Sequence, residues 1–155
     1  MTDYYQENYL KYHDQTFSID PASFLSPLIR CLSPSSVILD VGCGSGRDMR
    51  WLKERGFQPM GFELSKGLAT LARRHSGCRV MEGDFQVHDF SSMDMDALLL
   101  VGALVHVPHN QFSGTLSNIV DWGSSLRLTL VENCQRSNVD LISNSCIEVV
   151  WPKRG

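Results

Sequence analysis

The stretch Val37-Ile-Leu-Asp-Val-Gly-Cys-Gly-Ser-Gly-Arg-Asp48 decides how the rest of the chain is read. Val37 to Val41 is a short apolar run rich in β-branched residues and stopped by Gly42, the pattern of a strand buried on both faces of a parallel sheet. Gly42, Gly44 and Gly46 then recur at every second position, so the main chain can take positive φ and a ligand can lie against it with no Cβ in the way. From Arg47 to Arg55, apolar Met49, Trp51 and Leu52 stand among charged residues, and Gly56 sits where a helix would stop. Strand, glycine loop and helix make the first half of a nucleotide-binding βαβ unit, whose free N–H groups face the ligand.

Two cofactor classes use such a unit. A dinucleotide site wants Gly-x-Gly-x-x-Gly followed roughly 20 residues later by an acid. Here the third glycine comes one position early, and Asp40 precedes the loop on the strand. Asp40-x-Gly42-x-Gly44-x-Gly46 resembles motif I of the class I S-adenosylmethionine (SAM)-dependent methyltransferases, in the form common among small-molecule methyltransferases. The resemblance implies an α/β fold: a three-layer Rossmann-like sandwich with a mostly parallel sheet, binding SAM as cofactor. It makes Asp40, Gly42, Cys43, Gly44, Ser45, Gly46 and Arg47 candidate cofactor-binding residues.

Composition agrees with one ordinary globular domain. A chain of 155 residues can bury about 70% of the surface its unfolded form exposes. With 43% hydrophobic residues, 20% charged residues and a net charge of −3, there is no basic excess to argue for nucleic acid as a partner. Arg73-Arg74-His75 and Lys153-Arg154 read as solvated surface, although net charge alone leaves a structured RNA substrate open. The five cysteines (Cys31, Cys43, Cys78, Cys134, Cys146) include no Cys-x-x-Cys pair, so free thiols in a reducing cytosol are expected. Residues from Met1 on lack the pattern of a signal peptide, and no apolar run reaches membrane-spanning length, so the expected place is the cytoplasm with no membrane partner.

Residues 1–18 carry Tyr4, Tyr5, Tyr9, Tyr12 and Phe17, and the spacing Tyr5, Tyr9, Tyr12 puts three rings on one helical face. One reading is an amphipathic helix packed on the domain. The other is a lid, since many class I methyltransferases resemble this segment, and on that resemblance Tyr12 and Thr16 touch SAM. Asp20-Pro21 reads as an N-cap and first helical position, opening a helix through Arg30 with Phe24, Leu25, Leu28 and Ile29 on its apolar face and a kink at Pro27.

Gln58 to Glu63 is the second strand, which would end beside the first. A carboxylate there can accept from both ribose hydroxyls, and the family's motif II has an acid at this place, so Glu63 is a cofactor candidate with Leu64 packing on adenine. Ser65 would cap a helix over Lys66 to Arg74. Arg79 to Glu82 is the third strand. After it, the resemblance has Asp84 hold the adenine amine and Phe85 flank the ring. Asp96 to Val101 is nearly pure aliphatic and therefore central; Val101 to His106 should line the floor at the strand ends. The resemblance makes His106 the candidate catalytic group. His106-x-x-His109 has a zinc-like spacing without a Cys or Glu nearby, so no metal site is expected.

Phe112, Leu116, Ile119 and Val120 recur at helical spacing, and Leu126 to Val131 alternates like a fifth strand. Beyond it the resemblance thins. A complete class I domain looks like a seven-stranded sheet ending in an antiparallel hairpin, and after polar Asn133 to Ser145 only Cys146 to Trp151 could add a strand. The expected division is residues 1–30 as N-terminal helical lid, 31–132 as SAM-binding domain, and 133–155 as a short polar segment with one possible last strand. C-terminal strands are therefore expected to be incomplete, through a fragment, an altered reading frame or a natural minimal form.

The implied reaction is transfer of a methyl group from SAM to a small-molecule acceptor by in-line displacement. His106 would serve as base for a weakly acidic nucleophile, with Tyr12 second. Two alternatives stay open: a SAM-binding domain without activity, and a nicotinamide-binding or non-enzymatic domain.

Overall fold

Along the first strand, β1 (Val37–Val41), side chains alternate between the two faces of the sheet, and each face finds its own cover. Ile38 packs with Leu25, Leu28, Trp51, Leu52, Ala97 and Leu99. Leu39 and Val41 pack instead with Phe62, Phe90, Leu98, Leu100 and Ile119. The same parity in Ala97 to Leu100 makes both central strands apolar on each face apart from Asp40, as a sheet buried on two sides requires.

The computed structural model describes residues 2–104, 107–120, 126–131 and 147–152. Its helices are α1 (Thr2–Glu7), α2 (Tyr9–Thr16), α3 (Ala22–Ile29), α4 (Arg47–Lys53), α5 (Lys66–Ser76) and α6 (His109–Val120). Five further strands are β2 (Gln58–Glu63), β3 (Val80–Glu82), β4 (Ala97–Val101), β5 (Leu126–Val131) and β6 (Ile147–Pro152). They form one sheet in the order β3-β2-β1-β4-β6-β5. The first four are mutually parallel, with Asp40 level with Gly61 on one side and Leu99 on the other. β6 runs antiparallel to both β4 and β5.

Helices α3, α4 and α5 cover one face and α6 the other, giving three layers. Reversal of strand order beside β1 leaves a crevice above the carboxyl ends of β1 and β4, the usual ligand position in an open α/β sheet. No helix among the described residues is long and apolar enough to cross a membrane. Among those residues Cys31, Cys43 and Cys78 are free thiols.

Several elements differ from expectation. The aromatic N-terminal segment is two helices, not one, because Asn8 breaks the run with φ −112° and ψ 21°. α3, expected with the lid, is part of the core: Leu25 and Leu28 are fully buried, and the Asp20 carboxylate accepts from the Ala22 N–H at 2.9 Å at its start. The possible last strand expected over Cys146 to Trp151, by contrast, is present as Ile147–Pro152 and pairs within the sheet; residues 132–146 lie outside the described residues.

Candidate functional site

The loop after β1 is held open by its glycines. Gly42, Gly44 and Gly46 all have positive φ, at 72°, 55° and 86°. Each glycine also faces a different element. A Cβ on Gly42 would come 3.1 Å from Ala103, one on Gly44 would come 3.3 Å from the Tyr12 ring, and one on Gly46 would come 2.8 Å from the Ala72 main chain. Three parts of the fold thus converge on this loop: the segment after β4, α2 and α5. Gly42 N–H donates to the Phe62 carbonyl at 2.7 Å, tying the loop to the end of β2.

Glu63, the last residue of β2, closes the arrangement. Its Oε2 accepts the Gly44 N–H and its Oε1 accepts the Ser65 N–H, both at 2.9 Å. Burial raises its pKa, and the N–H groups of Ser65, Gly44 and Leu64 pull the other way. A carboxylate offers about four lone-pair sites, so two accepted N–H groups leave capacity for a diol. Ser65 in turn caps α5, its Oγ accepting the Leu68 N–H at 3.3 Å.

The crevice brings together most of the residues singled out from sequence. Tyr12, Gly42, Gly44, Glu63, Leu64, Asp84, Phe85 and Val101 all line it. Thr16, Asp40, Cys43, Ser45, Gly46 and Arg47 do not reach its wall. Thr16 donates to its own helix at the Tyr12 carbonyl, 2.7 Å away. The Cys43 side chain packs with Met49, Ala69 and Ala72, and burial pushes its thiol pKa well up, so it stays protonated and unreactive. Ser45 Oγ bonds His13 Nδ1 at 2.9 Å. Gly46 is pressed on Ala72. Arg47 grips Asp48 in a two-pronged ion pair, at 2.6 and 3.1 Å, and sits over the Phe24 ring.

Asp40 is 1% exposed, and its Oδ2 has no hydrogen-bond partner among the described residues. Desolvation, reinforced by the nearby Asp48 charge, lifts its pKa well above the carboxylate range. Tyr12 is pushed to about 12, chiefly by burial, so its phenol holds its proton at neutral pH and is no base. His106 lies outside the described residues. His109 opens α6; no His, Cys, Asp or Glu cluster able to hold a metal occurs among the described residues.

Gly102 and Ala103 line the wall within the Val101 to His106 segment expected there, whereas sequence reading missed Tyr5, Phe62, Ser65, Leu68, Gln86 and Val107. Tyr5 meets Tyr12 edge to face at 5.2 Å, which only the break at Asn8 permits. It also missed the His13–His75 stack, 4.6 Å apart with the rings nearly parallel, and with Phe17 against both rings. His13 is one helical turn before Phe17, a usable local signal; its partner on α5 gives none.

Residues 38–123, more than half of the chain, match the family described as "Methyltransferase domain". The chain belongs to the methyltransferase-domain family. The architecture of this methyltransferase is the class I, Rossmann-like one, as three solved structures show. A TehB-like SAM-dependent methyltransferase from Corynebacterium glutamicum superposes with a TM-score of 0.64 at 18% identity, over 96% of this chain and 98% of that one. Magnesium protoporphyrin IX methyltransferase from Synechocystis, with bound SAM, gives 0.72 at 13% identity over 97% and 94%. An amino pentose methyltransferase from Micromonospora echinaspora gives 0.58 at 24% identity, over 72% of this chain and 48% of that one. Likeness at such identities speaks for the fold alone. No curated protein matches the methyltransferase in sequence.

Proposed function

We propose that this methyltransferase binds SAM in the crevice above Gly42 to Gly46 and transfers its methyl group to a small-molecule acceptor. The observation that carries the reading is Glu63: a buried carboxylate, fixed by the Gly44 and Ser65 N–H groups, at the rim of a glycine loop that main chain alone can line. The residues present fit the cofactor. Glu63 has lone pairs left for the ribose hydroxyls, Leu64 and Phe85 offer apolar surface to the adenine, and Asp84 accepts from its amine. Tyr5 and Tyr12 cover the crevice from the N-terminal side. Solved structures of this fold holding SAM or S-adenosylhomocysteine give general support.

SAM supplies a methyl already activated by its sulfonium charge for in-line displacement by an acceptor atom. The protein's share is then to align, to exclude water and to shield the charge. Tyr12 and Tyr5 do the excluding and Glu63 does the aligning, while the Gly42, Gly44 and Gly46 N–H groups, already donated to Phe62, Glu63 and Cys43, leave the loop to offer room rather than donors. His106, on the segment after β4, is proposed to face the acceptor and take its proton where the nucleophile is weakly acidic. Residues 2–16 are proposed as the lid, and the acceptor as a metabolite rather than a nucleic acid, since no basic excess exists to hold a polyanion.

Titration calorimetry with SAM and with NAD tests the cofactor. SAM binding that Glu63→Ala weakens is expected; NAD binding without SAM binding refutes the reading. Radiolabelled methyl transfer to a metabolite panel tests the activity. Turnover lost in His106→Ala with SAM affinity kept would support the role given to that histidine.

A further inference from the structure

Gly67 is the second residue of α5, an 11-residue helix, where its φ is unexceptional and no turn or cap calls for glycine. Glycine is the poorest helix former after proline, so its use here needs a reason other than the helix. The neighbour supplies one. A Cβ on Gly67 would stand 2.5 Å from Cγ of Tyr9 and 2.7 Å from both adjoining ring carbons, so the ring lies flat against a main chain bared for it. The overlap is with the root of the ring, and rotating the hydroxyl end cannot relieve it.

Tyr9 starts α2, and the same short segment places Tyr12 against Gly44 and Tyr5 against Tyr12. On the far side of Asn8, the Gln6 Oε1 accepts the Lys66 N–H at 3.1 Å, and Ser65 Oγ donates to the Tyr5 carbonyl at 3.1 Å. All of these contacts gather at the first turn of α5, next to Glu63. We propose that Gly67 is the seat of the lid: a positioning residue, touching no ligand, whose missing side chain lets Tyr9 dock and thereby holds Tyr5 and Tyr12 over the crevice. This inference rests on the SAM-binding reading for its effect on affinity, but not for the docking itself.

Gly67→Ala, Tyr9→Ala and the double variant test it with three measurements. Thermal unfolding of Gly67→Ala should be no lower than that of the parent, since alanine favours the helix, while SAM affinity by calorimetry falls at least tenfold. In the ligand-free protein, trypsin should cut after Lys11 faster in both single variants, because a docked helix must open before it is cleaved. The double variant should bind SAM no worse than Tyr9→Ala, since both changes remove one contact. Parent-like affinity and cleavage in Gly67→Ala, or losses that multiply in the double variant, would overturn the proposal. If Gly67→Ala fails to fold, Tyr9→Ala decides alone: parent-like affinity and cleavage overturn it. Should the parent bind no SAM while the single variants are still cleaved faster, the cofactor reading falls and the docking contact stands.

Discussion

Glu63 Oε2 and the Gly44 amide meet at 2.9 Å across 19 residues of sequence, joining the end of one strand to the loop that follows its neighbour. The bond does two jobs, because the same carboxylate holds α5 through Ser65. Glu63→Ala leaves both N–H donors without an acceptor inside the protein. Each such loss costs about 1–3 kcal/mol, offset in part by removal of a buried charge. Urea denaturation should therefore show a net loss of about 1–3 kcal/mol. SAM affinity should fall at least about tenfold, the value of one charge-assisted hydrogen bond. Glu63→Gln, which keeps an acceptor, should recover more of the stability than of the affinity.

Asp40 should make the protein more stable as it is acidified from neutral pH. Its folded pKa is raised by desolvation and by Asp48, so the folded state holds the proton more firmly than the unfolded chain does. The stabilising contribution is full below the unfolded value near 4 and is lost as pH rises through the folded value. Asp40→Asn should then be more stable than the parent at pH 7, with the gap shrinking as pH falls toward 4. Denaturation midpoints across that range measure it; a gap that widens on acidification contradicts the assignment.

Two glycines with the same φ of 86° separate backbone strain from crowding. A Cβ on Gly56 meets nothing within 4 Å, whereas one on Gly46 would sit 2.8 Å from Ala72 Cα. Gly56→Ala should cost only the left-handed penalty of about 1–2 kcal/mol. Gly46→Ala should cost about 1–3 kcal/mol more, because α5 itself must move. Equal denaturation midpoints would show that α5 yields freely at Ala72.

Acid should loosen the lid through His13. Its pKa is lowered by desolvation and by the stacked His75, against a small opposing pull from Asp14. Docking stability is therefore present above the ordinary histidine value and is lost as pH falls through the lowered one. Amide exchange over residues 9–16, corrected for intrinsic rate, should accelerate between pH 7 and pH 5 in the parent. The acceleration should be smaller in His13→Phe, which keeps a ring for His75 and Phe17 but cannot charge.

Much of the site was legible because its determinants are local. Alternate glycines could serve only a loop with positive φ, and β1 and β2 occupy the segments their apolar runs marked. Glu63 and the loop were placed together by strand pairing alone, since β1 and β2 are adjacent and in step. What escaped was set at a distance. The spacing of Tyr5, Tyr9 and Tyr12 describes one helical face, yet Tyr9 is drawn to Gly67 while Tyr5 turns back on Tyr12, and nothing near Asn8 announces the break. Likewise, periodicity located β5 and β6 but was silent on their order, because which strand sits beside β4 depends on pairing energies between distant segments.

The sheet order bears on how the protein is made. β6 separates β4 from β5, so during synthesis the hydrogen-bonding edge of β4 is left open until Ile147–Pro152 has left the ribosome. Until then the nascent chain exposes an aliphatic strand with an unsatisfied edge, an invitation to intermolecular pairing. Yield of the parent in cells should therefore respond to holdase chaperones and to slower translation.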